Sequence, residues 1–405
     1  MRRPSGATLA GLLIVVVSFA VYLVCSYSFD AHRGDFFYLA DAFLHGRTWL
    51  DNPPGPYDAI IIDGRFYVPF APFPGIAFMP LVAVVGPGTA DTYEAIINSA
   101  LAATTVGMCW WLLARFGVAR IRDRIWLVVL FGFSTQIVWV TTRGGVWHTG
   151  HLIATILTFG CLLELWGKRR AWLIGLLAGA AFLTRAPLAF AIPFYAFLLI
   201  ERPDIGASAV GASIGRASRA IPWRAWTWLA IGVLPSIAFF FLYNQLRFGS
   251  PLESGYALAS LPPFLEVQRE QGLFALVHVP MNLDYLFFHL PTVIPAAPFF
   301  RPDGLGLSIF ITSPGLLYAV RADWRRSSTW LLLGAAVAVL IPTLLYYGGG
   351  WFQYGDRYFL DSVPFVMALC ASAAAIRGPI GFGWRVLIAF GVAVMVLGVY
   401  WAHVL

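Results

Sequence analysis

The stretch TLAGLLIVVVSFAVYLV, at positions 8–24, decides the class of fold, because it carries no charged residue and approaches the roughly 20 residues that a helix needs to cross a bilayer. Similar apolar runs recur at 126–140, 330–345 and 386–400. Hydrophobic residues make up 59% of the chain and charged residues only 12%, a composition that excludes an ordinary soluble domain. The sequence therefore predicts an all-α protein that crosses a membrane many times.

The basic residues are concentrated in six connections between the apolar runs. These connections hold 18 of the 27 Lys and Arg. Together with the residues that border them they hold only five of the 20 acidic residues, namely Asp123, Glu164, Glu201, Asp204 and Asp323. The positive-inside rule places them in the cytoplasm, together with the N-terminus. Membrane anchoring then explains the net charge of +7, so nucleic-acid binding is not expected. The six connections are 2–3, 115–124, 168–170, 202–224, 321–326 and 377–385.

The same rule divides the chain into eleven spans within a single integral-membrane domain, 1–405, in the cell's inner (plasma) membrane. The first is a retained span, because no cleavage site of small residues follows it. The short run at 75–85 contains Pro80 and is interpreted as an interfacial helix, since a span there would place 115–124 outside. The predicted spans are 8–27, 92–113, 125–141, 150–166, 171–183, 188–200, 226–243, 306–320, 330–346, 358–376 and 386–401.

Two long connections fall on the outer side, the first outer loop (28–88) and the second outer loop (244–303), and a cytoplasmic loop covers 201–224. The apolar residues of 35–45 have helical spacing, which predicts an amphipathic helix on the membrane surface. The segment 57–68 predicts a hairpin that turns at Asp63-Gly64. Since acids gather in these outer loops, we expect the chemistry there.

Asp35 and Asp41 are the first candidates for acid–base work. A carboxylate at the mouth of an outward cavity can act as a general base where it is partly desolvated. The structural alternative for Asp35 is to cap the amphipathic helix.

A second group of candidates consists of polar residues at the outer ends of spans, where they are costly unless they are paired or used. Arg185 and Arg357 suit an anion such as a lipid phosphate, because a guanidinium fork matches phosphate oxygens. His148 and His151 are spaced to share a helix face, but no third metal ligand lies near them, so no metal is expected. The predicted substrate-binding residues are Arg143, His148, Arg185, Arg247, Tyr354, Asp356 and Arg357.

Five segments follow one another in a characteristic order. They are LADAFLHG (39–46), FYVPFAPFPGIAFMPLVAVVG (66–86), GLLAGAAFLTRAPLAF (175–190), NQLRFGSPLESGY (244–256) and GDRYFLDSVPF (355–365). Together they resemble the GT-C superfamily of integral-membrane glycosyltransferases. The most similar branch is the protein O-mannosyltransferase and lipid A aminoarabinose transferase type, with its bacterial uncharacterised members.

The resemblance implies a GT-C-like bundle that uses a polyprenyl-phosphate sugar as donor and needs no further cofactor. The sugar would pass with inversion to a hydroxyl of a protein, lipid or glycan acceptor on the outer face. The family's base is an Asp of the first outer loop, often beside a Glu. This chain departs from that pair: it has Gly34-Asp35-Phe36, and counting back from LADAFLHG puts His32 or Arg33 nearer the family's position. Asp35 is the first choice for the base, followed by Asp30 and Asp41.

Two other classes of function are compatible with the composition. A lipid or glycan transporter or flippase would place charged residues within several spans along a path, whereas the middles of these spans are almost free of charge. A scaffolding membrane protein leaves the Asp, Arg, His and Trp of the outer loops unexplained. We therefore expect a glycosyltransferase, with the transporter as the alternative.

Overall fold

The computed structural model describes residues 6–26, 34–51, 53, 59–201, 222–350 and 352–404. The candidate base Asp30 and most of the predicted cytoplasmic loop lie outside these residues. The described chain is mostly helical, with two small hairpins.

The helices and strands follow one another in this order. They are α1 Gly6–Ser26, α2 Asp35–Leu44, β1 Ile60–Ile62, β2 Arg65–Tyr67, α3 Phe73–Val85, α4 Pro87–Thr92, α5 Glu94–Arg115, α6 Ile121–Phe133, α7 Ile137–Arg143, α8 Val146–Leu165, α9 Ala171–Phe182, α10 Ile192–Leu198, α11 Trp223–Phe248, α12 Pro263–Glu270, α13 Val279–Leu283, β3 Thr292–Val293, β4 Phe300–Arg301, α14 Ile309–Thr312, α15 Ser327–Leu345, α16 Val363–Ile376 and α17 Phe382–Val404. Short 3₁₀ helices cover Ala186–Ala191, Leu276–His278, Pro314–Arg321 and Arg357–Asp361, and a π-helical turn covers Asp284–Phe288.

Six of the described helices are long and apolar enough to cross a membrane, namely α1, α5, α8, α11, α15 and α17. The bent pair α6 and α7, with 46° between its halves, would make a seventh. The predicted spans at 171–183, 188–200 and 358–376 correspond to shorter apolar helices, and 306–320 is divided between α14 and a 3₁₀ helix. These helices are consistent with a multi-pass membrane protein, and the total of eleven spans stays a prediction.

Helices α9 and α11 approach each other closely because small residues lie at their contact. A Cβ added to Gly175 would lie 2.1 Å from the carbonyl oxygen of Leu229, and one added to Gly232 would lie 2.2 Å from that of Trp172. Small residues allow such backbone contact between apolar helices. Since Arg185 follows the end of α9 and Arg247 lies in the last turn of α11, this contact brings both arginines to the same end of the pair.

The first outer loop contains the predicted hairpin and the predicted helix. Strands β1 and β2 are antiparallel, and Asp63 and Gly64 form the turn with φ of 50° and 74°, as a tight hairpin turn requires. Helix α2 lies where the helix was predicted, but its apolar face is covered by protein, not left at the membrane surface. Phe37 packs on Phe78 of α3, with ring centroids 4.7 Å apart.

Candidate functional site

A cavity of about 310 Å³ opens where the ends of α9 and α11 meet the start of α8. Both predicted outer loops contribute to it, through Phe36 and Phe70 of the first and Leu252 and Tyr256 of the second. The first turn of the 3₁₀ helix Arg357–Asp361 forms another part of its wall. The cavity therefore lies where the sequence predicts the outer ends of the spans.

Three arginines line this cavity, Arg185, Arg247 and Arg357, and all three were predicted from the sequence. Among the lining residues that the structure describes, none is acidic, and none is lysine or histidine. The other lining residues are apolar, aromatic or neutral polar side chains. A cavity with guanidinium groups and no lining carboxylate favours an anion that also carries an apolar part.

Arg185 is fixed by a buried carboxylate behind the cavity wall. Its Nε donates to Oδ2 of Asp361 over 2.5 Å, and the other oxygen of Asp361 accepts from Nδ1 of His151 over 3.2 Å. The side chain of Asp361 is fully buried, whereas that of Arg185 is 17% exposed. Because Nε takes the carboxylate, the two terminal nitrogens of Arg185 carry the donors that remain for a ligand.

Arg247 is held by neutral groups. It donates to the carbonyl oxygen of Val68 over 2.7 Å and to Oδ1 of Asn244 over 2.7 Å, and its guanidinium carbon lies 3.9 Å from the ring centroid of Tyr243. Within the part of the chain that the structure describes, no carboxylate lies within ion-pair distance of Arg247. These contacts fix the side chain and do not neutralise its charge.

Arg185 and Arg357 lie on the same tyrosine. Their guanidinium carbons are 5.4 Å and 5.2 Å from the ring centroid of Tyr358, so they cannot be farther apart than the sum of these distances. That separation is well inside two Debye lengths (~20 Å), the limit beyond which a shared anion would be ruled out. The two arginines are therefore close enough to act on one anion.

Tyrosines from distant parts of the chain surround this pair. Tyr256 packs edge-on against Tyr346, with ring centroids 6.1 Å apart, and Tyr346 packs edge-on against Tyr358 at 6.5 Å. Burial raises the pKa of Tyr256 to about 12, so its hydroxyl stays protonated at neutral pH. A neutral phenol can donate a hydrogen bond to an anion or to a sugar oxygen.

The candidate base Asp35 is buried beside a second carboxylate. It occupies the first turn of α2, where a carboxylate interacts favourably with the helix dipole. The cap position itself is Gly34, whose N–H donates to Oδ1 of Asp91 over 3.0 Å. Burial, followed by the charges of Asp91 and Asp35, raises the pKa of Tyr38, which places both acids near that phenol. Asp35 does not line the cavity, but its neighbour Phe36 does.

Asp41 lies at the other end of α2, away from the cavity. Its carboxylate accepts from Arg47 over 3.1 Å and lies 3.4 Å from Nδ1 of His45. Asp41 thus forms a local ion pair with Arg47, and the structure does not bring it together with the cavity arginines.

Two further predicted binding residues have structural contacts elsewhere. The hydroxyl of Tyr354 donates to the carbonyl oxygen of Val394 in α17 over 2.9 Å. Asp356 caps the 3₁₀ helix by accepting from the N–H of Tyr358 over 2.8 Å, and burial raises its pKa to about 6. Neither side chain lines the cavity, so the structure does not bring them together with the cavity arginines, and their role in substrate binding stays a prediction.

His148 and Arg143 lie near the cavity but not in its wall. Nδ1 of His148 donates to the carbonyl oxygen of Gly144 over 2.6 Å, and the guanidinium carbon of Arg143 lies 4.5 Å from the ring centroid of Phe352. Across the described ranges, no group of three or more His, Cys, Asp or Glu residues has the arrangement of a metal site.

Several residues of the site were not predicted from the sequence. Asp361 holds Arg185, Tyr256 and Tyr358 contribute the phenols, and Asp91 lies beside Asp35. Glu94, at the start of α5, is buried and accepts from the N–H of Gly145 over 2.8 Å. In the sequence, Tyr256, Tyr358 and Asp361 lie within two of the segments that carry the family resemblance, and Asp91 and Glu94 lie at the outer end of a predicted span.

Comparisons with known proteins add no relative, because no family model, no curated protein and no solved structure matches this chain.

Proposed function

We propose that this chain is an integral-membrane glycosyltransferase that moves a sugar from a polyprenyl-phosphate donor to an acceptor hydroxyl on the outer face of the membrane. The observation that carries the proposal is the cavity with three arginines, no lining carboxylate among the described residues and an apolar rim. Leu252 and Phe274 on that rim are 77% and 61% exposed, as expected where a lipid chain enters. A lipid monophosphate with its prenyl chain has the same combination of charge and apolar surface.

The reaction would be a single in-line displacement. The acceptor oxygen bonds to the anomeric carbon, a carboxylate takes the hydroxyl proton, and the bond between that carbon and the phosphate oxygen breaks. The electron pair leaves with the lipid phosphate, whose growing charge Arg185 and Arg357 stabilise. Because the nucleophile enters opposite the leaving group, the anomeric configuration inverts.

Asp35 is the proposed base. It stands in the first turn of α2, directly before the cavity-lining Phe36, and it is buried. Acid–base contacts often shorten only when the substrate binds.

The test uses purified protein in lipid vesicles with radiolabelled polyprenyl-phosphate hexoses and pentoses and a panel of hydroxyl acceptors. Asp35→Asn should lose transfer by at least ~10²-fold, the low end of general-base contributions, while it still binds the lipid phosphate. Asp41→Asn is the matched control on the same helix and should keep transfer.

Three results would change the proposal. If Asp35→Asn is active and Asp91→Asn or Asp30→Asn is inactive, the base is that neighbour. If all four variants remain active, none of these acids is the base and the proposed mechanism fails. If the wild-type protein binds the lipid phosphate, transfers no sugar and moves the lipid across the vesicle bilayer, the chain is a flippase.

A further inference from the structure

The second outer loop contains a hairpin whose exposed residues are almost all apolar. We define the apolar hairpin as residues 290–301, which include strands β3 and β4. Leu290, Val293, Phe299 and Phe300 are 65%, 75%, 55% and 47% exposed, and the sequence LPTVIPAAPFF from 290 to 300 contains no charge. Such a patch in water promotes aggregation, so an exposed cluster of this kind marks an interaction surface.

The hairpin has a defined shape that presents these residues together. Val293 pairs with Phe300 across the two strands, so both side chains lie on one face of the hairpin. Phe299 adopts φ of 70°, a left-handed backbone conformation that is uncommon for an aromatic residue. Strained residues of this kind are found where a side chain is held in place for a contact.

The acidic groups next to the hairpin, Asp284 and Asp303, contact His289 at its root. Nε2 of His289 lies 2.6 Å from Oδ2 of Asp303, and its Nδ1 lies 3.2 Å from Oδ2 of Asp284. The imidazole therefore joins the chain before the hairpin to the chain after it. The charge that remains on the hairpin itself is that of Arg301, at the end of β4.

The apolar surface continues onto a predicted span. Phe287, just before the hairpin, stacks on Phe310 of α14, with ring centroids 5.6 Å apart. Phe310 is itself 46% exposed and lies at the outer end of the predicted span at 306–320. The hairpin root is thus attached to the part of the chain that we expect to face lipid at the outer leaflet.

We propose that the apolar hairpin inserts into the outer leaflet of the membrane, with Arg301 on a phospholipid phosphate. Aromatic and aliphatic side chains around a single cation match the boundary between acyl chains and headgroups. Removing large apolar side chains from water is favourable, so a few such residues suffice to hold the hairpin in the leaflet. This proposal does not depend on the sugar-transfer reaction.

The test places a nitroxide spin label on single cysteines in the full chain, reconstituted in vesicles of phosphatidylethanolamine and phosphatidylglycerol. Val293→Cys and Phe299→Cys report on the hairpin, and Glu270→Cys, exposed at the end of α12, is the control in the same loop. Oxygen and a water-soluble nickel chelate then measure exposure to lipid and to water. The background carries Cys25→Ser, because the other three native cysteines are buried.

The expected result is several-fold higher oxygen accessibility and several-fold lower nickel accessibility at 293 and 299 than at 270. Arg301→Glu should move the label at 299 toward water, and Arg301→Lys should leave it in place. Nickel accessibility at 293 and 299 equal to that at 270 would overturn the proposal and would indicate a surface for a soluble partner. Two label positions on the two arms of the hairpin, one in β3 and one directly before β4, protect the test against a local folding defect in one variant.

Discussion

The arginines at the two ends of the helices differ in what satisfies them. At the predicted cytoplasmic end, Arg169 donates to the carbonyl oxygens of Leu198 and Glu201 over 2.8 and 2.6 Å, and so completes the end of α10. At the cavity, Arg185 is held at Nε alone by the buried Asp361. The guanidinium of Arg169 is hydrogen-bonded to carbonyl oxygens at the end of a helix, whereas the terminal nitrogens of Arg185 face the cavity. We therefore propose that the cavity arginines bind the ligand.

The ion pairs of the two ends differ in burial in the same way. Arg170 donates to both oxygens of Glu164 over 3.0 and 2.9 Å, and the two side chains are 44% and 11% exposed. Arg185 and Asp361 are 17% and 0% exposed. Solvent screens the first pair, so it contributes little, while the second pair is sensitive to the loss of one partner. The difference in burial supplies matched controls.

We expect the cavity arginines and the basic connections to lie on opposite sides of the membrane, and the labelling of cysteines from outside the cell should show this as an all-or-none difference. A cysteine at Asp51, exposed in the first outer loop, should react with an impermeant thiol reagent in intact cells. A cysteine at Lys168, exposed between α8 and α9, should react only after permeabilisation. The reverse pattern would place the cavity arginines on the cytoplasmic side and remove the basis for the proposed reaction.

Loss of the buried carboxylate should be the most damaging single change within the site. Asp361→Ala leaves Arg185 buried without its partner, which costs about 3–5 kcal/mol of unfolding free energy. Asp361→Asn keeps an acceptor oxygen and should cost less. Denaturation of purified protein in mild detergent measures both. Glu164→Ala is the counterpart, for which we expect a much smaller loss, because the arginine that it leaves without a carboxylate, Arg170, is 44% exposed. Equal losses for Asp361→Ala and Glu164→Ala would contradict the distinction.

Ligand binding should depend on the cavity arginines individually. Arg185→Ala or Arg357→Ala should weaken the binding of a polyprenyl phosphate by about 10- to 150-fold, the equivalent of a charge-assisted hydrogen bond of ~1.5–3 kcal/mol. Lysine at either position should weaken it less, because the charge remains and only the fork is lost. Arg170→Ala should have no effect. Titration of the lipid phosphate by calorimetry separates these outcomes, and an unchanged affinity in both alanine variants would exclude the shared anion site.

The sequence predicted the arginines of the site better than their partners. Arg185, Arg247 and Arg357 could be predicted because a charged residue at the end of an apolar run is costly unless it is paired or binds a ligand. Asp361 was not predicted, because it lies inside a run interpreted as the start of a span. Its partners Arg185 and His151 are distant in the chain. Contacts across such distances depend on packing, which apolar periodicity does not encode.

The lengths of the spans were also only partly predictable. Apolar composition identified the segments, but the chain forms 3₁₀ helices at Ala186–Ala191 and Pro314–Arg321, both with a proline in the first turn. Proline lacks the N–H that a continuing α-helix needs, so α9 and α14 end before these prolines. The same limit explains why Tyr354 and Asp356 were grouped with Arg357, since adjacency in sequence does not specify which side chain faces the cavity.

The smallest change that we expect is a pH response at the root of the apolar hairpin, where His289 contacts Asp284 and Asp303. Burial lowers the pKa of His289, but its hydrogen bonds and the charges of Asp303 and Asp284 outweigh burial and raise that pKa above its usual value. A raised pKa in the folded state gives stabilisation that is complete below the unfolded pKa and is lost as pH rises through the folded value. The root should therefore loosen above neutral pH, seen as greater nitroxide mobility at 299. In His289→Gln that mobility should not vary over the same pH range, and a wild-type-like pH response in this variant would contradict the role of the imidazole.

We propose that the cavity arginines bind the phosphate of a prenyl lipid. The most direct measurement is a cryo-electron microscopy map of the purified protein with added polyprenyl phosphate. We predict phosphate density within hydrogen-bond distance of Arg185 and Arg357, with the prenyl chain leaving past Phe274. An empty cavity at saturating lipid, or lipid phosphate bound at Arg169 and Arg170 instead, would contradict the claim.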